Sequence, residues 1–225
     1  RTLAELTELI DKSKQIYPRA FPSAKFKEST KTWVFPSGAT ALFSYVDQDD
    51  DVYRYQGMSF SWIGIDELGH YPTPFVWNYL RSRLRSTDPK IETYMRATAN
   101  PGGIGGWWIK KMFVDPNPPD EPFWATDIDT GSTLVYGRGH AKEGIPLFAR
   151  KFIPARLTDN PYLMQDGAYE AMLMSLPEVQ RKRLLDGDWN VAEGAAFTEF
   201  SQKEHIVEPV EIPYNWIRIR GCDYG

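Results

Sequence analysis

Asp66 and Glu67 stand side by side at the end of the apolar run Phe60-Ser61-Trp62-Ile63-Gly64-Ile65. Two adjacent acids at such a strand end suit nucleotide hydrolysis. Asp66 would hold Mg²⁺, usually through water, and Glu67 would orient and polarise the attacking water. Taken alone, the run also fits a buried strand whose acids merely meet solvent. Thirty-odd residues on comes a second polar tip, Ala97-Thr98-Ala99-Asn100-Pro101-Gly102-Gly103. Thr98 and Asn100 there could reach the γ-phosphate of ATP and report its hydrolysis. Pro101 and the glycines let the backbone turn sharply. An ordinary strand-ending turn is the other reading, but a position one strand–helix–strand step after an acid pair favours the functional one.

The elements that must position these residues follow from periodicity. Residues 60–65 read as a strand buried on both faces. Residues 73–85 read as a helix with Phe75, Val76, Tyr79, Leu80 and Leu84 inward, and 91–98 as a second strand. Strand, helix, strand in this order predicts a parallel pair with a right-handed crossover. The carboxyl ends of parallel strands face the ligand crevice, which is where both polar tips fall. This is the Walker B arrangement of a P-loop ATPase, within an α/β fold built on a mostly parallel, incomplete P-loop NTPase-like sheet.

Upstream, residues 2–17 carry helical spacing, with Thr2 as N-cap and Pro18 as the stop. Residues 32–35 and 41–46 flank the turn signal Pro36-Ser37-Gly38 and predict a hairpin. Residues 47–51 read as a polar loop, whose four acids lack the Gly and terminal Glu of a calcium loop. Downstream, 116–122 is a proline-rich loop and 123–155 alternates short strands with turns. Helices are expected over 161–174 and 176–186, an irregular linker over 187–213, and a new strand over 216–222. The expected organisation is an ATPase portion over 1–155, a helical subdomain and linker over 156–213, and the start of another domain over 214–225.

Composition narrows the classes. Of 225 residues, 42% are apolar and 14% aromatic, which excludes a disordered chain. The net charge of −4 leaves any nucleic-acid contact to local basic patches. The single cysteine, Cys222, excludes an internal disulfide framework. No apolar run approaches the ~20 residues of a membrane span. With no initiator Met and a helical pattern from the second residue, the chain reads as the interior of a longer protein.

At this point a resemblance becomes specific. The runs Tyr53-Arg54-Tyr55-Gln56-Gly57, Ile65-Asp66-Glu67-Leu68, Leu80-Arg81-Ser82-Arg83-Leu84-Arg85 and Ala97 through Gly103 resemble the large terminase subunits of tailed phages and prophages. Thr158-Asp159-Asn160-Pro161-Tyr162-Leu163, Leu185-Asp186-Gly187-Asp188-Trp189 and Glu193-Gly194-Ala195-Ala196-Phe197 continue that family's order. The terminal run from Ile217 to Gly225 resembles the first strand of its RNase H-like nuclease domain. The resemblance implies an ATP-driven motor that translocates double-stranded DNA into a procapsid and cuts it with a Mg²⁺ or Mn²⁺ nuclease. It implies Asp223 as a ligand of the nuclease metal, and an arginine given to a neighbouring subunit's nucleotide, for which Arg54 is the candidate and Gln56 the competing position. It further implies a homo-oligomeric ring, the portal protein and the small terminase subunit as partners, and the host cytoplasm as location. No G-x-x-x-x-G-K-[ST] loop is present, so the phosphate cradle would lie upstream. This chain alone is therefore expected to be inactive.

The remaining polar residues read more plainly. Arg81, Arg83 and Arg85 cannot share one helix face, so one is expected to face nucleotide or a neighbour while the others are solvated. Lys110, Lys111, Arg181, Lys182 and Arg183 fit solvent faces better than a DNA contact, and Trp107-Trp108 fits core packing better than base stacking. His70, His140 and His205 lack metal-ligand spacing and read as structural or surface residues. Two other readings stay open: a helicase-like ATPase without a packaging role, and a catalytically inactive docking module.

Overall fold

The computed structural model describes residues 2–164, 167–191, 213, 215 and 216. The chain opens with helix α1 (Leu3–Ala20), started by a capping box in which the Thr2 hydroxyl accepts from Glu5 N–H and the Glu5 carboxylate accepts from Thr2 N–H. Pro18 does not stop this helix. Its fixed φ is helical and it costs one ladder bond, so the helix runs two residues further until Phe21 N–H caps the Tyr17 carbonyl at 2.7 Å. Next come β1 (Lys25–Lys27), β2 (Thr32–Val34) and β3 (Thr40–Leu42), an antiparallel sheet in the order β1-β2-β3. The expected hairpin is its second half, and β1 adds a strand too short to show periodicity. Trp33 joins helix and sheet: its indole N–H donates to Ser13 Oγ at 2.9 Å, and its ring packs edge-on against Tyr17 at 5.4 Å.

The expected polar loop is instead the start of a 3₁₀ helix, Asp49–Tyr55. Asp51 makes the difference. Its carboxylate accepts from Asp47 N–H at 2.9 Å and Gln48 N–H at 3.1 Å, satisfying the donors that a helix start leaves open. These bonds, together with Arg54, hold its carboxyl below the usual aspartate range. Val52 and Tyr55 on the inner side then enter the core.

β4 (Trp62–Ile65), α2 (Phe75–Arg81) and β5 (Tyr94–Ala97) form the expected strand–helix–strand unit, with β4 and β5 parallel and Ile65 paired with Ala97. β4 is not buried on both faces. Ile63 and Ile65 pack against the core, whereas Trp62 stays 52% exposed and lays its ring beside Gly64. Among the described residues one face of the pair is covered, so alternation replaces the doubly buried pattern. The expected mostly parallel sheet is not seen among the described residues: the α/β fold has three small sheets, one parallel pair and two antiparallel.

α2 is shorter than expected. It ends at Arg81 because the backbone of the next turn is used elsewhere: Phe60 N–H donates to the Arg83 carbonyl and Arg85 N–H to the Phe60 carbonyl, both at 3.0 Å. Leu84 thereby becomes a bridge partner of Phe60 rather than a helix residue. Val76 and Leu80 are buried as their spacing requires, joined by Trp77. α3 (Gly106–Ile109) passes into a π-helical turn, Lys110–Val114. β6 (Phe123–Trp124) pairs antiparallel with β7 (Ala149–Arg150). The helical part comprises α4 (Pro161–Met164), α5 (Ala168–Met174) and α6 (Glu178–Leu184), broken where Gly167 adopts φ +66°. The expected linker falls largely, and the expected strand over 216–222 almost wholly, outside the described residues.

The helix boundary can be checked by truncation. Leu80→Ala should cost about 2–5 kcal/mol in urea denaturation, as fully buried leucines do, and Leu84→Ala less than half of that. Equal costs would mean that the helix runs on through Leu84.

Candidate functional site

The site is built by two chain reversals at the carboxyl ends of β4 and β5. Beyond Ile65 the backbone turns through Glu67, which adopts the left-handed conformation at φ 51° and ψ 52°. A non-glycine residue there stores strain of about 1–3 kcal/mol, which the surroundings must offset. Thr98 supplies the offset. Its hydroxyl accepts from Glu67 N–H at 3.0 Å and donates to an Asp66 carboxylate oxygen in a very short bond. Its carbonyl accepts from Leu68 N–H at 2.8 Å, and its own N–H donates to the Ile65 carbonyl at 3.0 Å. Asp66, Glu67 and Thr98 are thus brought together as their positions at strand ends predict. Both carboxylates remain exposed.

A short 3₁₀ turn, Leu68–His70, follows. At three residues per turn it sets Glu67 and His70 on one side, and His70 Nε2 lies 2.8 Å from a Glu67 carboxylate oxygen. His70 is therefore a neighbour of the candidate base rather than only a structural residue. Its i,i+3 spacing from Glu67 was the signal available in the sequence. The second reversal is pinned against the first. Gly105 N–H donates to the Gly69 carbonyl at 2.9 Å, and a Cβ on Gly105 would meet the Tyr71 carbonyl at 2.3 Å. Trp108, fully buried, donates its indole N–H to that same Tyr71 carbonyl at 2.8 Å. Trp107 departs from the core expectation: it is 56% exposed, held by a bond to the Pro72 carbonyl.

Asn100 lies exposed on the second loop, its backbone carbonyl facing Gly69. The next residue ties this loop to a distant helix. Arg183 Nε donates to the Pro101 carbonyl at 2.7 Å, and its guanidinium fills the space where a Gly102 side chain would stand. A link spanning 82 residues left no local trace in the sequence. Arg54 is not brought to the acids. It pairs with Asp51 within its own 3₁₀ helix and lies 5.4 Å from the Tyr45 ring. The three arginines after Leu80 part company: Arg81 lies on Phe148, Arg83 turns to Ser82 and Tyr79, and Arg85 donates to the carbonyls of Gly57 and Met58. Lys110 pairs with Asp115 and Lys182 with Glu178. His140 stacks on Tyr136. Asp223, Cys222 and His205 lie outside the described residues.

No family model, curated protein or solved structure matches the chain. The chemistry of the site therefore rests on its geometry. Among the described residues no group of three or more metal-ligating side chains converges. Mg²⁺ that arrives with a nucleotide does not require such a cage, because it keeps several waters and takes one or two carboxylates plus phosphate oxygens. Asp66, with one oxygen held by Thr98 and an exposed carboxylate, fits that partial role. No helix is long and apolar enough to cross a membrane among the described residues.

The strain at Glu67 has a direct test. Glu67→Gly should be about 1 kcal/mol more stable than Glu67→Ala in thermal unfolding, since only glycine occupies this conformation freely. Equal stabilities would show that the turn relaxes when the side chain is lost.

Proposed function

We propose that this chain is the ATP-hydrolysing middle part of a viral DNA-packaging motor of the terminase large-subunit type. One observation carries the reading: the Thr98 hydroxyl holds Asp66 and the Glu67 backbone together at the open tips of adjacent parallel strands. An acid pair pinned to the neighbouring strand's polar tip suits γ-phosphate chemistry, because the Asp66 carboxylate and the backbone that carries Glu67 are positioned before substrate arrives. Asp66 would hold Mg²⁺, which supplies charge neutralisation on the phosphates when bound. Glu67 would orient the attacking water and accept its proton, with His70 beside it. Thr98 and Asn100 would sense the γ-phosphate. Arg54, anchored on Asp51 and half-exposed, would be offered to a neighbouring subunit of a homo-oligomeric ring. The fold this implies is a P-loop NTPase-like core, a helical subdomain, and an RNase H-like nuclease whose first strand carries Asp223. Partners would be double-stranded DNA, the portal protein and the small terminase subunit, in the host cytoplasm on the procapsid.

In the intact protein, Glu67→Gln should leave nucleotide bound while steady-state hydrolysis falls by at least ~10²-fold, the scale of a lost positioned base. Asp66→Ala should raise the concentration of Mg²⁺-ATP needed for half-saturation. Near-normal turnover in Glu67→Gln would remove the central assignment.

The nuclease half is tested separately. Asp223→Ala should abolish metal-dependent cleavage of a linear DNA on a gel while ATP turnover persists. Retained cleavage by that variant would show Asp223 to be merely a strand-end acid and end the nuclease half of the reading, whereas an intact protein that cuts no DNA would favour a helicase-like ATPase.

A further inference from the structure

Arg81 and Arg150 are anomalous. Arg150 on β7 is only 8% exposed, and Arg81 at the end of α2 is half-buried. Their guanidinium carbons lie 5.5 Å and 3.8 Å from the centroid of one ring, Phe148, so both charges lie against the same side chain. Arg150 also lies 5.5 Å from Phe113 and gives one bond, at 3.0 Å, to the Thr126 carbonyl. The Nε of each is buried without a hydrogen-bond partner. Among the described residues neither meets a carboxylate.

Burying one guanidinium costs several kcal/mol unless an anion answers it, and a second like charge beside it raises that cost. The cation–π contacts offset only a part of this. Burial and Arg81 together lower Arg150 to about 10, and burial lowers Arg81 as well. Both shifts share a cause: each guanidinium is buried with no carboxylate against it among the described residues.

We propose that Arg81 and Arg150 form a binding site for a phosphate dianion, entered from the half-exposed Arg81 and floored by Arg150. Charge stoichiometry selects the ligand. A carboxylate or an internal phosphodiester would leave one positive charge unanswered, whereas inorganic phosphate or a phosphomonoester carries about two negative charges near neutral pH. Guanidinium forks also match the spacing of phosphate oxygens. The site is separate from Asp66 and Glu67. Arg81 lies three residues before Leu84, which pairs with Phe60 at the amino end of the β4 segment, opposite the acid pair.

Isothermal titration of the chain with inorganic phosphate at constant ionic strength tests the site. Phosphate should bind, acetate at equal ionic strength should not, and Arg81→Gln should weaken phosphate at least 10-fold. Arg150→Met should do the same. If it does not fold, the more exposed Arg81→Gln carries the test alone. Asp66→Ala should leave phosphate binding intact, which keeps this site distinguishable from the nucleotide site and from the fate of the ATPase reading. Titration with adenosine monophosphate separates the sources: binding by both ligands indicates a phosphomonoester, binding by inorganic phosphate alone a free-phosphate site. Absence of phosphate binding, equal affinity in Arg81→Gln, or equal binding of acetate would overturn the proposal.

Discussion

Thr98 has one hydroxyl proton and one N–H, and the geometry of the candidate site depends on where they point. The hydroxyl donates to Asp66 and accepts from Glu67 N–H, while the backbone of the same residue bonds the Ile65 carbonyl and Leu68 N–H. One residue of β5's extension thereby clamps four consecutive residues, Ile65 to Leu68, at the end of the neighbouring strand. A turn through a left-handed glutamate is unfavourable by itself. It persists because the Glu67 and Leu68 N–H groups and the Ile65 carbonyl are all committed to Thr98, and the Glu67 carbonyl to His70 N–H. Four bonds of about 1 kcal/mol each are of the right size to hold a strain of that order.

The clamp needs a firm base. The register that sets Ile65 opposite Ala97 brings Thr98 level with Asp66, and a slip of one residue would turn its hydroxyl to the other face. Below the turn, Leu68 is buried at 2% exposure beside Tyr71, Val76 and Trp108. Gly105 permits the second loop to touch the first, and Trp108 ties both to α3. The result is a rigid floor under an open top, with the carboxylates free to meet a ligand and the backbone that carries them fixed.

Periodicity exposed the parts of this that depend on local pattern. The acid pair after an apolar run, the polar tip of the next strand, and the helix between them were all legible, since each obeys a strand or helix period. The misreadings share a cause. Residues 47–51 looked like a loop because the helix that begins there is started by a side chain, Asp51, whose bonds leave no hydrophobic signal. Residues 82–85 continued a helical pattern, but the Phe60 backbone claimed their hydrogen bonds. Pro18 looked like a stop, yet near a helix end the bond it removes is cheaply lost. Trp62 was counted as core, although its face of the pair is uncovered among the described residues. Tertiary contacts decided each of these, and a window of neighbouring residues does not contain them.

The bond from Arg183 to the Pro101 carbonyl extends the same logic across 82 residues. Gly102 adopts φ +84°, and its missing side chain leaves the volume that the guanidinium occupies, with Nε 2.1 Å from the place of a Cβ. Any larger residue at 102 would carry a double burden, backbone strain and expulsion of the arginine. The contact falls one residue after Asn100 and three after Thr98, so α6 bears on the same loop that positions both polar residues. α6 cannot move away by more than a hydrogen bond's reach without breaking this link or drawing Pro101 with it. Because Pro101 is buried and Thr98 is clamped to β4, a displacement of the helix is taken up by the residues between them. Asn100 is the exposed member of that short span, and its position is therefore the one most sensitive to where α6 sits.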